Sequence, residues 1–446
     1  MNLLEKYGIE SIHFQLKSKL HFALTEICDS IKSNIDLEIK NLQGLHRRIN
    51  DSMVNKIVYD FYKKNKSLIE THIEKETGLK TFFILDRSDT SFIPGASVRI
   101  ENLDSNHPLI LEFQKELMSI SDRFIDIIKK KEKYSALVDK KNGKVSGYFS
   151  KIPFNIYVNY SFFKGILDGK EMSSVILHEL GHAFSYCEYM GSYVTTNFVL
   201  YEASRRLTQR DREKESFIIL SDLEKHLGIK LKQGEQITYK QNQEVIHLVL
   251  VREYICCGIN ELNSKMYDFT AFEMFADQFA NRHGAGKDII SALDKIYRLG
   301  GDSAYWSGKK HVYVETMKTL FVLPIFTALT AGLFLYFIFF VVNTNASEYD
   351  TPVKRFERIK RDLINALKDR NLSNELRKKI NDDIEQIDEI LKPMNERKTL
   401  LQWYWNTLSI RGRREYNALK FQQELEKLVG NELFVKANQL LLRSES

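Results

Sequence analysis

The stretch from Ser173 to Phe184, SSVILHELGHAF, contains two histidines four residues apart within an apolar segment. Its apolar positions predict a buried helix, and on a helix His178 and His182 lie on one face. Two imidazole nitrogens on one face can bind a single metal ion, with Glu179 beside them. The same five-residue pattern also occurs with histidines in ordinary structural roles, so a third ligand decides between the two interpretations.

A second apolar segment supplies that ligand. Glu273 is surrounded by apolar residues, among which an unpaired carboxylate is costly: Phe272, Phe275, Ala276, Phe279 and Ala280. Glu273 is therefore the predicted third ligand, and Asp277, one helical turn later, is predicted to accept the free ring N–H of a liganding histidine. Three protein ligands and an open fourth position are typical of catalytic zinc, which lowers the pKa of bound water to about 7. The sequence predicts one Zn²⁺ per chain, with Glu179 as the general base.

These residues resemble the gluzincin peptidases typified by the CAAX prenyl endoprotease and the bacterial heat-shock membrane protease HtpX. The resemblance runs through Phe154 to Val158, Gly165 to Leu167 and Glu171 to Leu177 into the HELGH string, and then to Glu273 and Asp277. It implies a zincin-like catalytic core, hydrolysis of peptide bonds by zinc-activated water, and a protein or peptide substrate.

The resemblance also implies where a substrate binds. In the family, the segment before the zinc helix contributes an edge strand to which an extended substrate adds itself, and here that strand is Ile156, Tyr157 and Val158. The unpaired N–H and C=O groups of such a strand can bind peptide backbone without reading sequence. An ordinary interior strand is the alternative interpretation of the same three residues.

One departure from the family concerns the group that stabilises negative charge on the substrate oxygen. The family often carries a His-Pro pair and then an Arg-Ile pair, and the histidine helps to hold the oxyanion. Here Thr351-Pro352 leads to Arg358-Ile359 without a histidine. Such a donor can contribute a few kcal/mol to lowering the barrier. The donor is left unassigned, with His283, His311 and Tyr349 as unranked candidates.

Length and composition bound the class of protein. The 446 residues are 43% hydrophobic and 28% charged, which indicates a folded protein with a sizeable core rather than a disordered one. The net charge of +6, from 65 basic and 59 acidic residues, does not require nucleic acid as a partner. Only four cysteines occur, without a CxxC pair, which fits a reducing compartment better than a disulfide-stapled secreted protein.

The clearest break in composition is the uncharged stretch from Thr319 to Val342. About 20 apolar residues cross a bilayer as a helix, so a transmembrane span is the first interpretation, and a buried or membrane-dipping hairpin is the alternative. More basic residues follow the stretch than precede it, which favours a cytoplasmic C-terminal flank. A catalytic part without a signal peptide is also expected in the cytoplasm. A single membrane crossing cannot leave both the catalytic part and the C-terminal flank in the cytoplasm, so the topology stays open.

The periodicity along the chain predicts an α+β fold dominated by helix. Residues 81–85 and 96–100 are predicted to form strands of a small antiparallel sheet, joined through a turn at Pro94-Gly95 and accompanied by the HExxH helix. The predicted regions are an N-terminal helical region, a zincin-like metallopeptidase domain, a transmembrane or membrane-dipping segment and a C-terminal helical region: residues 1–80, 81–300, 319–342 and 349–446.

The sequence therefore predicts a membrane-associated zinc metalloendopeptidase whose partners are a protein or peptide substrate and a lipid bilayer. Its catalytic part is expected in the cytoplasm, and a cellular, phage-encoded or virion-associated protein fits equally. Two other classes stay open. One is a metallopeptidase-like structural or assembly protein with little or no turnover, which the missing histidine favours. The other is a membrane-remodelling adaptor acting through residues 319–342.

Overall fold

A computed structural model describes the part of the chain that contains the proposed metal ligands. The described ranges are residues 19–44, 50–89, 91–100, 123–139, 142–189, 195–208, 213–229, 243–262, 269–300, 352–367 and 372–392, with a few isolated positions between them. The predicted membrane segment 319–342 lies outside these ranges, as do His311 and Tyr349. Within the ranges, no helix combines the length and the apolar character needed to cross a membrane.

Helices make up most of the described residues. In chain order they are α1 (Lys19–Gly44), α2 (Asp51–Thr77), α3 (Phe124–Ser135), α4 (Tyr160–Lys164), α5 (Gly169–Tyr189), α6 (Thr195–Leu207), α7 (Glu213–Leu227), α8 (Gln243–Leu262), α9 (Phe269–Ala280), α10 (Gly286–Gly300), α11 (Pro352–Ala366) and α12 (Asn374–Leu391). A π-helical turn, Asn281–Ala285, joins α9 to α10, and a short 3₁₀ turn, Phe149–Lys151, precedes the last strand.

The strands form one three-stranded sheet and one short pair. They are β1 (Lys80–Leu85), β2 (Ala96–Ile100), β3 (Val138–Asp139), β4 (Lys144–Val145) and β5 (Pro153–Val158). In the larger sheet β5 lies in the middle, parallel to β1 and antiparallel to β2, and β3 pairs with β4. The predicted helix-dominated α+β class is confirmed.

The prediction of an antiparallel sheet is wrong, because the three-stranded sheet is mixed and β1 does not pair with β2. The reason lies in the loop between them, which is tied to the end of β5. The Asn159 side chain donates to the Ile93 carbonyl at 2.8 Å and accepts from the Gly95 N–H at 3.1 Å. The start of β2 is therefore held at the end of β5, and β1 pairs with the other edge of β5.

The interpretation of Ile156, Tyr157 and Val158 as the substrate edge strand is also wrong. These residues belong to β5, and both backbone edges of β5 are occupied by neighbouring strands. The apolar alternation explains the position, since Phe154, Ile156 and Val158 are all buried against the helices. The interior-strand alternative is the correct one.

The two outer strands differ in how their free edges are covered. On β1, the Phe83 N–H donates to Glu70 at 2.7 Å and the Tyr62 hydroxyl donates to the Phe83 carbonyl at 2.6 Å, so α2 closes that edge. On β2, the Val98 N–H donates to Glu179 Oε2 of α5 at 2.8 Å. Backbone direction alternates along an antiparallel strand, so every second residue of β2 presents its N–H and C=O away from β5. The edge that faces α5 is therefore β2.

Helix α5 lies at the centre of the larger apolar core, which also contains α1, α2, the sheet and α9 to α12. A smaller apolar cluster joins α3, α6, α7 and α8. The close packing of α5 on α9 depends on Gly181, because a Cβ at this position would lie 2.6 Å from the Cα of Ala276. The glycine of the HELGH string thus has a packing role that brings the two helices together.

The start of α5 is fixed by side chains. Asp168 accepts from the Glu171 N–H and Glu171 accepts from the Asp168 N–H, both at 2.9 Å, as in a capping box. From α1, Asp29 accepts from the Gly169 N–H at 2.9 Å, and Lys32 donates to the Leu167 carbonyl. With its start fixed, the helical period determines which face of α5 carries the two histidines.

Candidate metal centre

Three side chains from two helices converge at one point. They are His178 and His182 of α5 and Glu273 of α9, and their ligand atoms all lie within 4.8 Å of one another. The two Nε2 atoms are 3.2 Å apart, and the Glu273 carboxylate oxygens lie 3.5 Å from His178 Nε2 and 3.4 Å from His182 Nε2. Two ligands bound to zinc at about 2.0–2.1 Å with a tetrahedral angle are about 3.3 Å apart. The three side chains can therefore share one metal ion, with a different oxygen of Glu273 lying nearest each histidine.

Asp277 lies one turn after Glu273 and contacts His178 on the other side of its ring. Its Oδ1 is 3.0 Å from His178 Nδ1, and its side chain is buried. A carboxylate that accepts from Nδ1–H fixes the tautomer and turns Nε2 towards the cluster. The structure thus brings together the histidine and the carboxylate that the sequence spacing paired.

Glu179 follows His178 in sequence and its carboxylate points to the sheet. It is buried, and its Oε2 accepts the Val98 N–H on the side of β2 with which no described strand pairs. The predicted general base and the free edge of β2 therefore meet directly beside the ligand helix.

Arg355 of α11 is the site residue that sequence reasoning missed. Its Nε and Nη2 donate to the two oxygens of Asp277 at 2.6 and 2.5 Å, and Nη2 also lies 3.3 Å from Glu273 Oε2. Two parallel hydrogen bonds are a strong geometry for an arginine and a carboxylate, and the Arg355 side chain is buried. Glu273 and Asp277 lie one turn apart on the apolar helix α9, and buried carboxylates need a positive partner. This pair was therefore the signal that another part of the chain supplies a cation. Its location on α11 means that the chain after Pro352 returns to the site.

Burial and charge oppose each other at each titratable group of the site. Burial alone would lower the pKa of His178, but its hydrogen bonds to Asp277 and Glu273 raise it to about 9. Burial alone would raise the pKa of Asp277, but Arg355 and His178 lower it to about 2. Glu273 shows the same opposition, and its contacts with His178 and His182 hold its pKa well below the usual range. At neutral pH both carboxylates are ionised, and a cation that binds here displaces a proton from His178.

Tyr297 of α10 packs against Arg355. The Arg355 Nη1 donates to the Tyr297 hydroxyl at 3.2 Å, and the phenol ring stacks on Phe356 with 6.3 Å between ring centroids. Burial raises the pKa of Tyr297, so the hydroxyl keeps its proton at neutral pH. Sequence reasoning gave no signal for this residue, because its contact partner lies on a distant helix.

His283 has a structural environment. Its side chain is buried, its Nδ1 bonds to the Phe279 carbonyl at 2.9 Å, and its ring lies 4.4 Å from the Phe279 ring. Burial lowers the pKa of His283 to about 4, which keeps the ring neutral at neutral pH. With its Nδ1 engaged within its own helix, His283 is not a good oxyanion donor. The other two candidates, His311 and Tyr349, lie outside the described residues.

Comparison of the chain with protein-family models, with curated proteins and with solved structures finds no match. The function is therefore inferred from the residues of the site and their geometry.

Proposed function

We propose that this chain is a membrane-associated zinc metalloendopeptidase with a zincin-like core. The observation that carries the proposal is the convergence of His178, His182 and Glu273 at distances from which all three can reach one metal ion. Two histidines and a carboxylate are a ligand set of catalytic zinc in peptidases. A zinc ion bound there would act as a Lewis acid and lower the pKa of water to about 7.

In the proposed reaction Glu179 is the general base. Its carboxylate takes a proton from the attacking water and later gives a proton to the leaving amine. The peptide C–N bond breaks, and the elements of one water molecule end on the new carboxylic acid and the new amine. The Val98 N–H supports this role because it holds the Glu179 carboxylate between the ligand helix and β2.

The strand β2 is the proposed binding site for substrate backbone. Its outward N–H and C=O groups can pair with an extended peptide, as in other complexes in which a peptide adds a strand to a sheet edge. Such pairing does not read side chains, so the proposed substrates are extended, unfolded protein segments. The Val98 N–H contacts Glu179, so a substrate carbonyl and the general base compete for one donor.

Association with a bilayer is proposed from the uncharged residues 319–342 alone. Full-length protein should float with liposomes in a density gradient, and protein lacking residues 319–342 should remain at the bottom. Equal flotation of the two proteins would argue against this part of the proposal.

The catalytic proposal is tested with Glu179→Gln in full-length protein. Wild-type protein should cleave a reduced, carboxymethylated protein, lose the activity with chelator and regain it with zinc. Glu179→Gln should keep its zinc while turnover falls by about 10²–10⁴-fold, since the glutamine cannot accept the proton. Glu188→Gln, near the end of the same helix, is the matched control and should cleave like wild type. Cleavage that survives in Glu179→Gln, or that ignores chelator, would exclude the mechanism.

An inactive structural or assembly protein is the second candidate. Arg355, Asp277 and His178 link α11, α9 and α5 through one buried network, so a metal ion at this place also holds helices together. The same experiment separates the two functions. If zinc-loaded wild-type protein cleaves nothing while chelator lowers its Tm, the structural role is the better account.

A further inference from the structure

One hydroxyl beside the metal-ligand cluster has a hydrogen that no described residue accepts. The Tyr297 hydroxyl oxygen accepts a hydrogen bond from Arg355 Nη1 at 3.2 Å. Within the described part of the chain, its own O–H makes no hydrogen bond to another residue. Accepting a bond from a cation also strengthens a hydroxyl as a donor, because hydrogen bonds in a chain polarise one another.

Arg355 links the hydroxyl to one of the proposed ligands. The same guanidinium that donates to Tyr297 through Nη1 lies 3.3 Å from Glu273 Oε2 through Nη2. Two contacts therefore separate the phenol oxygen from a candidate metal ligand. Asp277 holds the guanidinium with two further bonds, and Phe356 stacks on the phenol ring. Fixed donors of this kind stabilise developing charge well, because they need no rearrangement during the reaction.

The neighbouring donors are already engaged. Arg355 Nε and Nη2 bind Asp277, and Nη2 also faces Glu273. His283 bonds to a backbone carbonyl of its own helix. Thr351-Pro352 contains no histidine, so the donor to the substrate oxygen is still unassigned.

We propose that the Tyr297 hydroxyl donates a hydrogen bond to the scissile carbonyl oxygen as that oxygen gains negative charge. The inference rests on the proposed function, since it adds a catalytic residue to the same reaction. The hydroxyl keeps its proton and no covalent bond to the protein forms. Because the bond is stronger to the charged oxygen than to the neutral carbonyl, Tyr297 acts on kcat more than on KM.

Tyr297→Phe tests the assignment, because phenylalanine keeps the ring that stacks on Phe356 and removes only the hydroxyl. In zinc-loaded full-length protein, kcat should fall by about 10²–10³-fold, the usual effect of removing one oxyanion donor. KM and zinc content should stay close to the wild-type values, and Tm should fall modestly because Arg355 Nη1 loses the acceptor that Tyr297 provides. Tyr59→Phe on α2 removes a hydroxyl far along the chain from the site and is the matched control.

A binding measurement gives a readout that does not depend on turnover. A phosphinic peptide carries tetrahedral, charged oxygens, so Tyr297→Phe should weaken its binding in calorimetry by a factor similar to the loss in kcat/KM. The affinity for an uncleaved substrate peptide, measured in the Glu179→Gln background, should not change. A structural role for Tyr297 would weaken both ligands alike or lower the zinc content, and either result would overturn the assignment.

The failure of this inference is distinguishable from the failure of the proposed function. If wild-type protein cleaves and Tyr297→Phe matches it in kcat and in phosphinic-peptide affinity, the assignment of Tyr297 is wrong and the peptidase proposal stands. If zinc-loaded wild-type protein neither cleaves nor binds the phosphinic peptide, both are overturned.

Discussion

His178 is held between carboxylates on both sides of its ring. Nδ1 contacts Asp277 at 3.0 Å, and Nε2 lies 3.5 Å from Glu273. Burial disfavours a charged ring, yet the two carboxylates raise its pKa to about 9. The proton on His178 therefore supplies positive charge where a metal ion would supply it, and the two compete for the same nitrogen.

We expect stability and zinc affinity to depend on pH through His178. A folded-state pKa raised from 6.5 to about 9 stabilises the folded chain fully below pH 6.5, and this contribution is lost as the pH rises through about 9. Chelator-treated protein should lose about 3 kcal/mol of unfolding free energy over that range. Zinc affinity should rise over the same range, because fewer molecules must release a proton.

Urea unfolding and competition titrations with a zinc indicator, each repeated across that pH range, measure the two trends. His72→Gln on α2 is the control and should leave both profiles unchanged. A zinc affinity that is flat with pH in wild-type protein would contradict the role given to His178.

The residues that sequence reasoning identified are those related by a local rule. His178, Glu179 and His182 follow from the helical period, and Asp277 follows from Glu273 by one further turn. Arg355 and Tyr297 lie on other helices, and nothing in their local sequence specifies that Arg355 contacts Asp277 or that Tyr297 contacts Arg355. Their roles depend on tertiary packing, which periodicity does not report.

At the scale of elements, the distance between α5 and α9 determines whether three ligands can share one ion. Gly181 allows the approach, since a Cβ there would lie 2.6 Å from Ala276 Cα and 2.9 Å from Phe279 Cβ. The nearest atoms belong to the backbone and to the root of a side chain. They cannot turn aside as the end of a flexible side chain can.

Gly181→Ala should therefore separate the two helices and move Glu273 away from the histidines. We expect a loss of about 1–3 kcal/mol of unfolding free energy from overpacking, together with weaker zinc binding. Urea unfolding and zinc titration of the same preparation measure the two effects. Gly44→Ala is the matched control, because nothing lies within 4 Å of the added methyl group. Wild-type zinc affinity in Gly181→Ala would show that the ligands tolerate a wider spacing.

Strand positions could be predicted at this scale, but strand pairing could not. The apolar runs and the turn at Pro94-Gly95 located residues 81–85 and 96–100 correctly. Pairing is decided by contacts across the chain, and the side chain of Asn159 ties the loop before β2 to the end of β5. The resemblance predicts that β5 is the substrate edge, whereas the strand that meets Glu179 is β2.

At the scale of the whole molecule, α11 docks on α9 and the following turn through two buried polar contacts. In the first contact α11 supplies the positive charge, and in the second it supplies the negative charge. Arg355 of α11 binds Asp277, while Asp362 of α11 accepts from Gln278 at 3.2 Å, from Asn281 at 2.6 Å and from Arg282 at 3.1 Å. Each helix thus supplies both a positive and a negative group, which fixes the direction and register of docking. A chain segment far beyond the ligands in sequence becomes part of the site in this way.

Asp362→Ala tests whether this docking supports the metal centre, because Asp362 itself contacts none of the proposed ligands. The substitution leaves buried donors of three side chains without their shared acceptor, so we expect a loss of about 3–5 kcal/mol in unfolding free energy. It should also weaken zinc binding, since Arg355 on the same helix loses its fixed position beside Asp277. Hydrogen exchange should rise in α11 before it rises in α5.

Asp388→Asn is the matched control for the docking of α11. It removes the 2.6 Å ion pair between Lys360 of α11 and a half-exposed carboxylate of α12, a contact with no link to the metal-ligand cluster. An exposed pair of this kind contributes about 1 kcal/mol or less, so zinc affinity should equal that of wild type. If Asp362→Ala loses stability but keeps wild-type zinc affinity, the metal centre is independent of α11 and is built by α5 and α9 alone. If both quantities fall together in Asp362→Ala while zinc affinity is unchanged in Asp388→Asn, the ligands depend on the docking of α11, whose Arg355 lies beside Glu273.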